Sequence, residues 1–315
     1  MTPRALPRVR PQKQAVPSRG DRTFGAIGAG AAGALVLVLV GVAASVTQIA
    51  WPSIVASGGS FVTSTGWDPA RETYGVLAFV WGTVLTSVVA LVIAIPVGLG
   101  VAIFLTDLGA LPLRRLVSSA IELLAAIPSV VYGLWAALVL APLLRTYVEP
   151  ALETTALPFF RGPSLGFDLL CASLVLAVMV LPTIAWISRD VLAAVPAELR
   201  EGALALGATP WDVVRLVVLP HARRGLLGAI LLGFGRAIGE TMAVAAVVGS
   251  RPNVSFSLLS PGYTMSSVIA NEFPTATSEL HVAALAEVGL TLLLLTLVFN
   301  VAARLLVARA AGPTQ

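Results

Sequence analysis

The sequence predicts an all-α membrane protein: a bundle of six transmembrane helices with a helical connection on one side. Three observations predict it. Of the 315 residues, 57% are hydrophobic and 11% are charged, against about 45–50% and about 25% in soluble domains. Six apolar segments reach the roughly 20 residues that a helix needs to cross a hydrocarbon core about 30 Å thick. Lysine and arginine are shared unevenly between the connections. These features exclude a water-soluble globule, and long apolar runs without alternation exclude barrel strands.

The segments justify themselves in chain order. Residues 1–23 set Arg4, Arg8, Arg10 and Lys13 among Pro3, Pro7, Pro11 and Pro17, a composition too polar to bury a core and expected to be disordered. The first span, 24–50, runs 27 residues, beyond the roughly 7–15 of a cleavable signal core, so it is read as a retained helix. The second, 76–106, contains Pro96, Gly98 and Gly100, which predict a kink or a strong tilt. The third, 116–144, holds Glu122 and Pro128. That proline either kinks the helix or, with Ser129 and Tyr132, frees backbone groups to line a passage. The fourth, 169–188, is uncharged and contains Cys171, the single cysteine of the chain, so no intrachain disulfide can form. The fifth, 225–250, carries Arg236 and Glu240, and the sixth, 282–303, carries Glu287. Residues 310–315 form a C-terminal tail.

Orientation follows from the basic residues. An inside N-terminus puts 15 Lys and Arg on the inner side and 4 on the outer, which predicts cytoplasmic termini. The same asymmetry explains a pI near 9.8 without a nucleic-acid partner. Trp51, Trp67, Trp81 and Trp186 near span ends read as anchors at the lipid surface. His221 and His281 lie far apart without ligand spacing, so no metal is expected.

The inner connection 197–220 is the most specific segment. Leu199, Ala203 and Leu206 recur at helical spacing, Gly207 supplies a stop, and Thr209, Pro210 and Asp212 open a second helix as cap, first position and capping box. Pro220 is expected to close the unit by biasing Leu219 out of helix. Such a knob fits a groove on another protein, or it is a linker lying on the surface. Glu201-Gly-Ala-x-x-x-Gly207, nine residues, then Val217-x-Leu219-Pro220 resembles the EAA loop of ABC-importer permeases, whose helices couple to ATPase subunits. On that resemblance Glu201, Gly202, Ala203, Gly207, Leu219 and Pro220 are the coupling residues. Gly202 and Val217 replace the usual Ala and Ile.

Arg236 and Glu240 stand four apart, the spacing of one helical face, and are expected to pair. Each charge costs roughly 2.5–3.5 kcal/mol at mid-bilayer, so both should face the bundle interior, where Glu122 and Glu287 are candidates to join them. The pair either locks helices together or meets cargo. A guanidinium suits an oxyanion, although a neutral cargo remains open at this point.

Gly235-Arg-Ala-Ile-Gly-Glu-Thr-Met-Ala-Val244, Glu122-Leu-Leu-Ala-Ala-Ile-Pro-Ser-Val-Val-Tyr-Gly-Leu-Trp135, Gly75-Val-Leu-Ala-Phe-Val-Trp-Gly-Thr-Val84 and Asn271-Glu-Phe-Pro274 resemble the PstC-type permeases of the high-affinity phosphate importer. The likeness runs from about residue 24 to 309 and implies the six-helix fold of a type I ABC importer permease with a cytoplasmic coupling helix. It further implies a substrate pathway at Arg236, Glu240, Glu122 and Thr241 and a place in the bacterial plasma membrane. The implied partners are a PstA-type permease, a PstB-type ATPase dimer and a PstS-type phosphate-binding protein. The chain lacks a P-loop motif, so ATP and magnesium are expected on the ATPase, with no cofactor and no catalytic residue here. The rival readings are the same scaffold importing sulfate or molybdate, a non-conducting phosphate sensor, and an intramembrane enzyme using its buried carboxylates.

Overall fold

A computed structural model describes residues 19–155 and 157–309. The expected tails lie outside the described residues at 1–18 and 310–315. Residues 19–23, expected in the basic tail, are instead the first turn of a helix.

The chain divides into two compact units, 1–45 and 46–315. The described part of the first is helical: α1, Arg19–Ser57, begins in it, and nearly every side chain from 23 to 45 is exposed. Besides short helical turns at Ser60–Thr63, Pro158–Phe160 and Phe273–Thr275, the described residues of the second unit hold the end of α1 and nine further helices. These are α2, Leu77–Ile103, prolonged by a wide π turn over Phe104–Leu108; α3, Leu111–Ala126; α4, Ser129–Glu153; α5, Leu169–Ala193; α6, Ala197–Ala205; α7, Pro210–Gly239; α8, Met242–Ala245; α9, Met265–Glu272; and α10, Glu279–Arg309. Among the described residues, six helices are long and apolar enough to cross a membrane: α1, α2, α4, α5, α7 and α10.

Helix α5 is the centre of the second unit. Val175, Leu176, Val180 and Ile184 on it are almost wholly buried, and α2 and α7 pack along its length. At Gly233 a β-carbon would stand 2.7 Å from Ile184 Cγ1, so glycine is what lets α7 approach α5 this closely.

Two expected spans are corrected. The third was placed over 116–144, but the chain breaks at Ile127 and Pro128, both extended, because a residue before proline avoids helical backbone. Residues 111–126 become the separate amphipathic helix α3, whose single fully buried side chain is Ile121, and the crossing is α4. The fifth was placed over 225–250, but α7 ends at Gly239 and Glu240 is extended, with φ −71° and ψ 130°.

The prolines inside α4 and α7 do not end their helices. Pro142, Pro150 and Pro220 each follow a π turn, at Ala136–Leu140, Leu144–Val148 and Val214–Val218. In each case the residue before the proline donates its N–H five residues back: Ala141 to Ala136, Glu149 to Leu144 and Leu219 to Val214. The extra residue in the turn absorbs the missing proline donor and its ring clash. Leu219 therefore stays helical, with φ −62° and ψ −45°, and the expected closure of the 197–220 unit at Pro220 is replaced by direct continuation into α7.

Where α4 gives way to α5, two carboxyls are fully buried. Asp168 Oδ1 caps α5 by accepting from the Cys171 N–H at 2.8 Å, and Glu149 Oε2 accepts from the Gly166 N–H at 3.1 Å. Burial, with the Glu149 charge close by, pushes the Asp168 carboxyl up to about 7.

Candidate functional site

The first site candidate is the break between α7 and α8. Two glycines, Gly235 and Gly239, weaken the last turns of α7, and the backbone leaves the helix at Glu240. Carbonyls freed inside an apolar layer need donors. The Thr241 hydroxyl donates to the Gly239 carbonyl at 3.3 Å, and the Ser266 hydroxyl of α9 donates to the Glu240 carbonyl at 2.7 Å. The Glu240 carboxylate accepts from the Ala243 N–H of α8 at 3.4 Å.

This arrangement separates the expected Arg236–Glu240 pair. Among the described residues no ion pair joins them, because Glu240 has left the helical register that would set it one turn from Arg236. Arg236 is exposed and acts electrostatically on the Tyr132 phenol of α4. Tyr132 is buried there, and its hydroxyl donates to the Leu124 carbonyl of α3 at 2.8 Å. The first turns of α4 press on α8, with Gly133 against Ala243. Arg236, Glu240, Thr241 and Tyr132 thus meet where α4, α7 and α8 converge.

Glu122 and Glu287 are not joined to this group by a hydrogen bond or ion pair. Glu122 is exposed on α3. Glu287 is buried on α10. Ser266, which stabilises the break, carries no local signal in the sequence.

The second candidate is the connection from α5 to α7. Ala208 N–H closes onto the Ala203 carbonyl at 3.1 Å, with Gly207 between them at φ +89°. That conformation suits glycine and ends α6. The capping box forms as the sequence pattern requires: Thr209 Oγ1 accepts from the Asp212 N–H at 3.2 Å, and Asp212 Oδ2 accepts from the Thr209 N–H at 3.0 Å. The outcome is an apolar tip, with Leu206 91% exposed and Trp211 51% exposed. Glu201 and Gly202 are exposed beside it. Arg200 turns the other way, into the seam between α2 and α5, where burial lowers the guanidinium pKa.

Residues 94–312 match the family described as binding-protein-dependent transport system inner membrane component. Among curated relatives, "Phosphate transport system permease protein PstC" of Mesorhizobium japonicum is 43% identical over 97% of this chain and 96% of its own length. The protein of the same name from Haemophilus influenzae is 44% identical over 87% of this chain and 88% of its own. "Phosphate transport system permease protein PstC 2" of Mycobacterium tuberculosis is 38% identical over 91% of each. This chain belongs to the PstC permeases. Like the wider family it is a multi-pass membrane transport component, and the family match takes in both site candidates while leaving α1 outside. In fold it is similar to an inward-facing MetNI methionine ABC transporter, with a TM-score of 0.56, 23% identity, and coverage of 73% of this chain and 94% of that one. A type I importer permease architecture is thereby established for the bundle.

One expectation changes with the geometry. Trp67, read as a lipid-surface anchor, is built into an aromatic cluster: it packs edge-on to Tyr74 and Phe79 at 5.0 and 4.9 Å, and its Nε1 donates to Glu272 Oε2 at 2.8 Å. His281 Nε2 reaches the same Glu272 oxygen at 3.1 Å. The cluster ties the connection before α2 to α9 and the start of α10.

Proposed function

We propose that this chain is the permease subunit that gives inorganic phosphate a route across the bacterial plasma membrane within an ATP-driven importer. The observation that carries the reading is the exposed guanidinium of Arg236 on a transmembrane helix, next to a break at which the Gly239 and Glu240 carbonyls accept from the Thr241 and Ser266 hydroxyls. Lipid is a poor environment for that side chain, at roughly 2.5–3.5 kcal/mol. The face therefore belongs to a water-accessible route or a second subunit, and a planar cation there suits a tetrahedral oxyanion. The names of the curated relatives point to phosphate rather than sulfate or molybdate.

The same reading supplies the assembly. A PstA-type permease covers the Arg236 face, and a PstB-type ATPase dimer, holding ATP and magnesium, grips the tip formed by Glu201, Gly202, Ala203, Gly207 and Leu206. A PstS-type phosphate-binding protein docks on the opposite side. The tip and both termini are cytoplasmic. Leu219 and Pro220 belong to the helical strut that joins the tip to α7.

Phosphate uptake into proteoliposomes holding the assembled complex, with ATP inside, tests the reading. Arg236→Gln is expected to lower uptake at least tenfold while the complex still assembles, and excess sulfate or molybdate is expected to leave wild-type uptake unchanged. Full uptake by Arg236→Gln would remove Arg236 from the route, and competition by sulfate would reassign the cargo.

A further inference from the structure

Helix α6 reaches its place with little burial of its own. It contributes no fully buried side chain, and Leu199 and Leu204 are exposed, at 42% and 49%. Its side-chain anchor is Arg200. Nη1 bonds Asp107 Oδ1, and Nη2 donates to the Leu192 carbonyl at 2.6 Å. Asp107 sits in the π turn that ends α2, and its other oxygen, Oδ2, accepts from the Thr106 hydroxyl at 2.7 Å. Leu192 is fully buried in the last turn of α5, and its carbonyl, which also accepts from the Val195 N–H at 3.2 Å, has a lone pair left for the guanidinium. One guanidinium fork therefore binds two helix ends at once.

We propose that Arg200, with Asp107 as its acceptor, is the positioning residue that makes α6 move as one piece with the ends of α2 and α5. Those two helices share the most extensive helix–helix contact in the bundle, so one side chain adds to the short backbone link with α5 and to the packing of Ala203 a polar tie that reaches both helices. The side chains of the pair are only 20% and 11% exposed, which removes most of the water that would otherwise compete for these bonds. A lysine cannot replace the fork, because a point ammonium on a flexible stem lacks the two parallel donors that reach a carboxylate and a carbonyl together. The Arg200 side chain points to Asp107, away from the exposed faces of its neighbours Glu201 and Gly202. Their contribution is the stiffness of the joint. The inference rests on the coupling reading of the 197–220 connection above.

The test measures phosphate uptake and ATP hydrolysis on the same proteoliposomes containing the assembled complex. Arg200→Lys and Asp107→Asn are each expected to lower the phosphate carried per ATP hydrolysed at least fivefold. Asp107→Glu, which keeps the carboxylate, is expected to retain more than half of the wild-type ratio. A merely structural pair would lower uptake and hydrolysis together through loss of assembled complex and leave the ratio unchanged, and that result would overturn the inference. Failure of the isosteric Asp107→Asn to assemble would do the same, by assigning the pair to folding. Gly207→Asp at the tip separates the two levels of argument. If it too leaves the ratio unchanged, the coupling reading fails; if it lowers the ratio while Arg200→Lys and Asp107→Asn do not, only the role of Arg200 fails.

Discussion

Asp168 shows how a single buried group makes the whole fold respond to pH. Its carboxyl, held up at about 7 in the folded protein, titrates near 3.9 in an unfolded chain. Folding therefore favours the protonated form, and the stabilisation is complete below about pH 4 and lost as pH rises through about 7. The melting temperature of the purified protein is expected to fall over that window and level off above it. Asp168→Asn keeps an acceptor for the Cys171 N–H and is expected to flatten the fall; an unchanged pH profile would dissociate Asp168 from it. None of this is visible in the sequence, where Asp168 reads only as a polar residue before an apolar run. Arg236 was visible, as a charge in an apolar segment. Its release from Glu240 was not, because i and i+4 are neighbours only while the helix continues.

At the scale of elements, apolar length and composition located the membrane-crossing helices but not their ends. Hydropathy is a sum over a window, and it cannot distinguish a helix from a helix, a break and another helix of equal apolarity. This is how 116–144 fused parts of α3 and α4, and how 225–250 ran past Gly239. Pro220 misled for a different reason. Proline excludes an ordinary α turn before it, yet a π turn meets the same restriction and lets the helix go on, as it does ahead of Pro142, Pro150 and Pro220. Element packing also yields a prediction. Gly233 lies against Ile184 with no room for a β-carbon, so Gly233→Val should force α7 off α5 and destabilise by about 1–3 kcal/mol. Thermal unfolding in detergent reads this as a lower melting temperature, whereas Gly228→Ala, on the same helix with open space around it, is expected to melt at or slightly above the wild type.

For the whole molecule, the topology can be read chemically with little preparation. Cys171 is the only cysteine in the chain and is fully buried, so a cysteine introduced at the surface reports alone. Leu206→Cys, at the 91% exposed tip, is expected to react with a membrane-impermeant maleimide in inside-out vesicles and to stay unlabelled in intact spheroplasts. Phe256→Cys, 65% exposed in the connection between α8 and α9, is expected to show the opposite pattern. The reverse result would invert the orientation drawn from the basic residues. The local parts of the tip, its glycine stop and capping box, were legible because caps and turns are written within a few residues. The Arg200–Asp107 joint spans 93 positions of sequence, and no local pattern announces a contact that only the packing of α2 beside α5 creates.

The wide turn at Val214–Val218 holds one residue more than a regular helix would use there. At 3.6 residues per turn, each residue accounts for about 100° of rotation. Removing one residue from this turn, and replacing Pro220 by a residue that can donate, would restore an unbroken ladder while swinging everything before it by about a quarter of a circle around the α7 axis. The compass bearing of the exposed tip relative to Arg236 is thus set by a single surplus residue beside a proline. Changes in chain length at that point would reorient the tip without altering any surface that it presents.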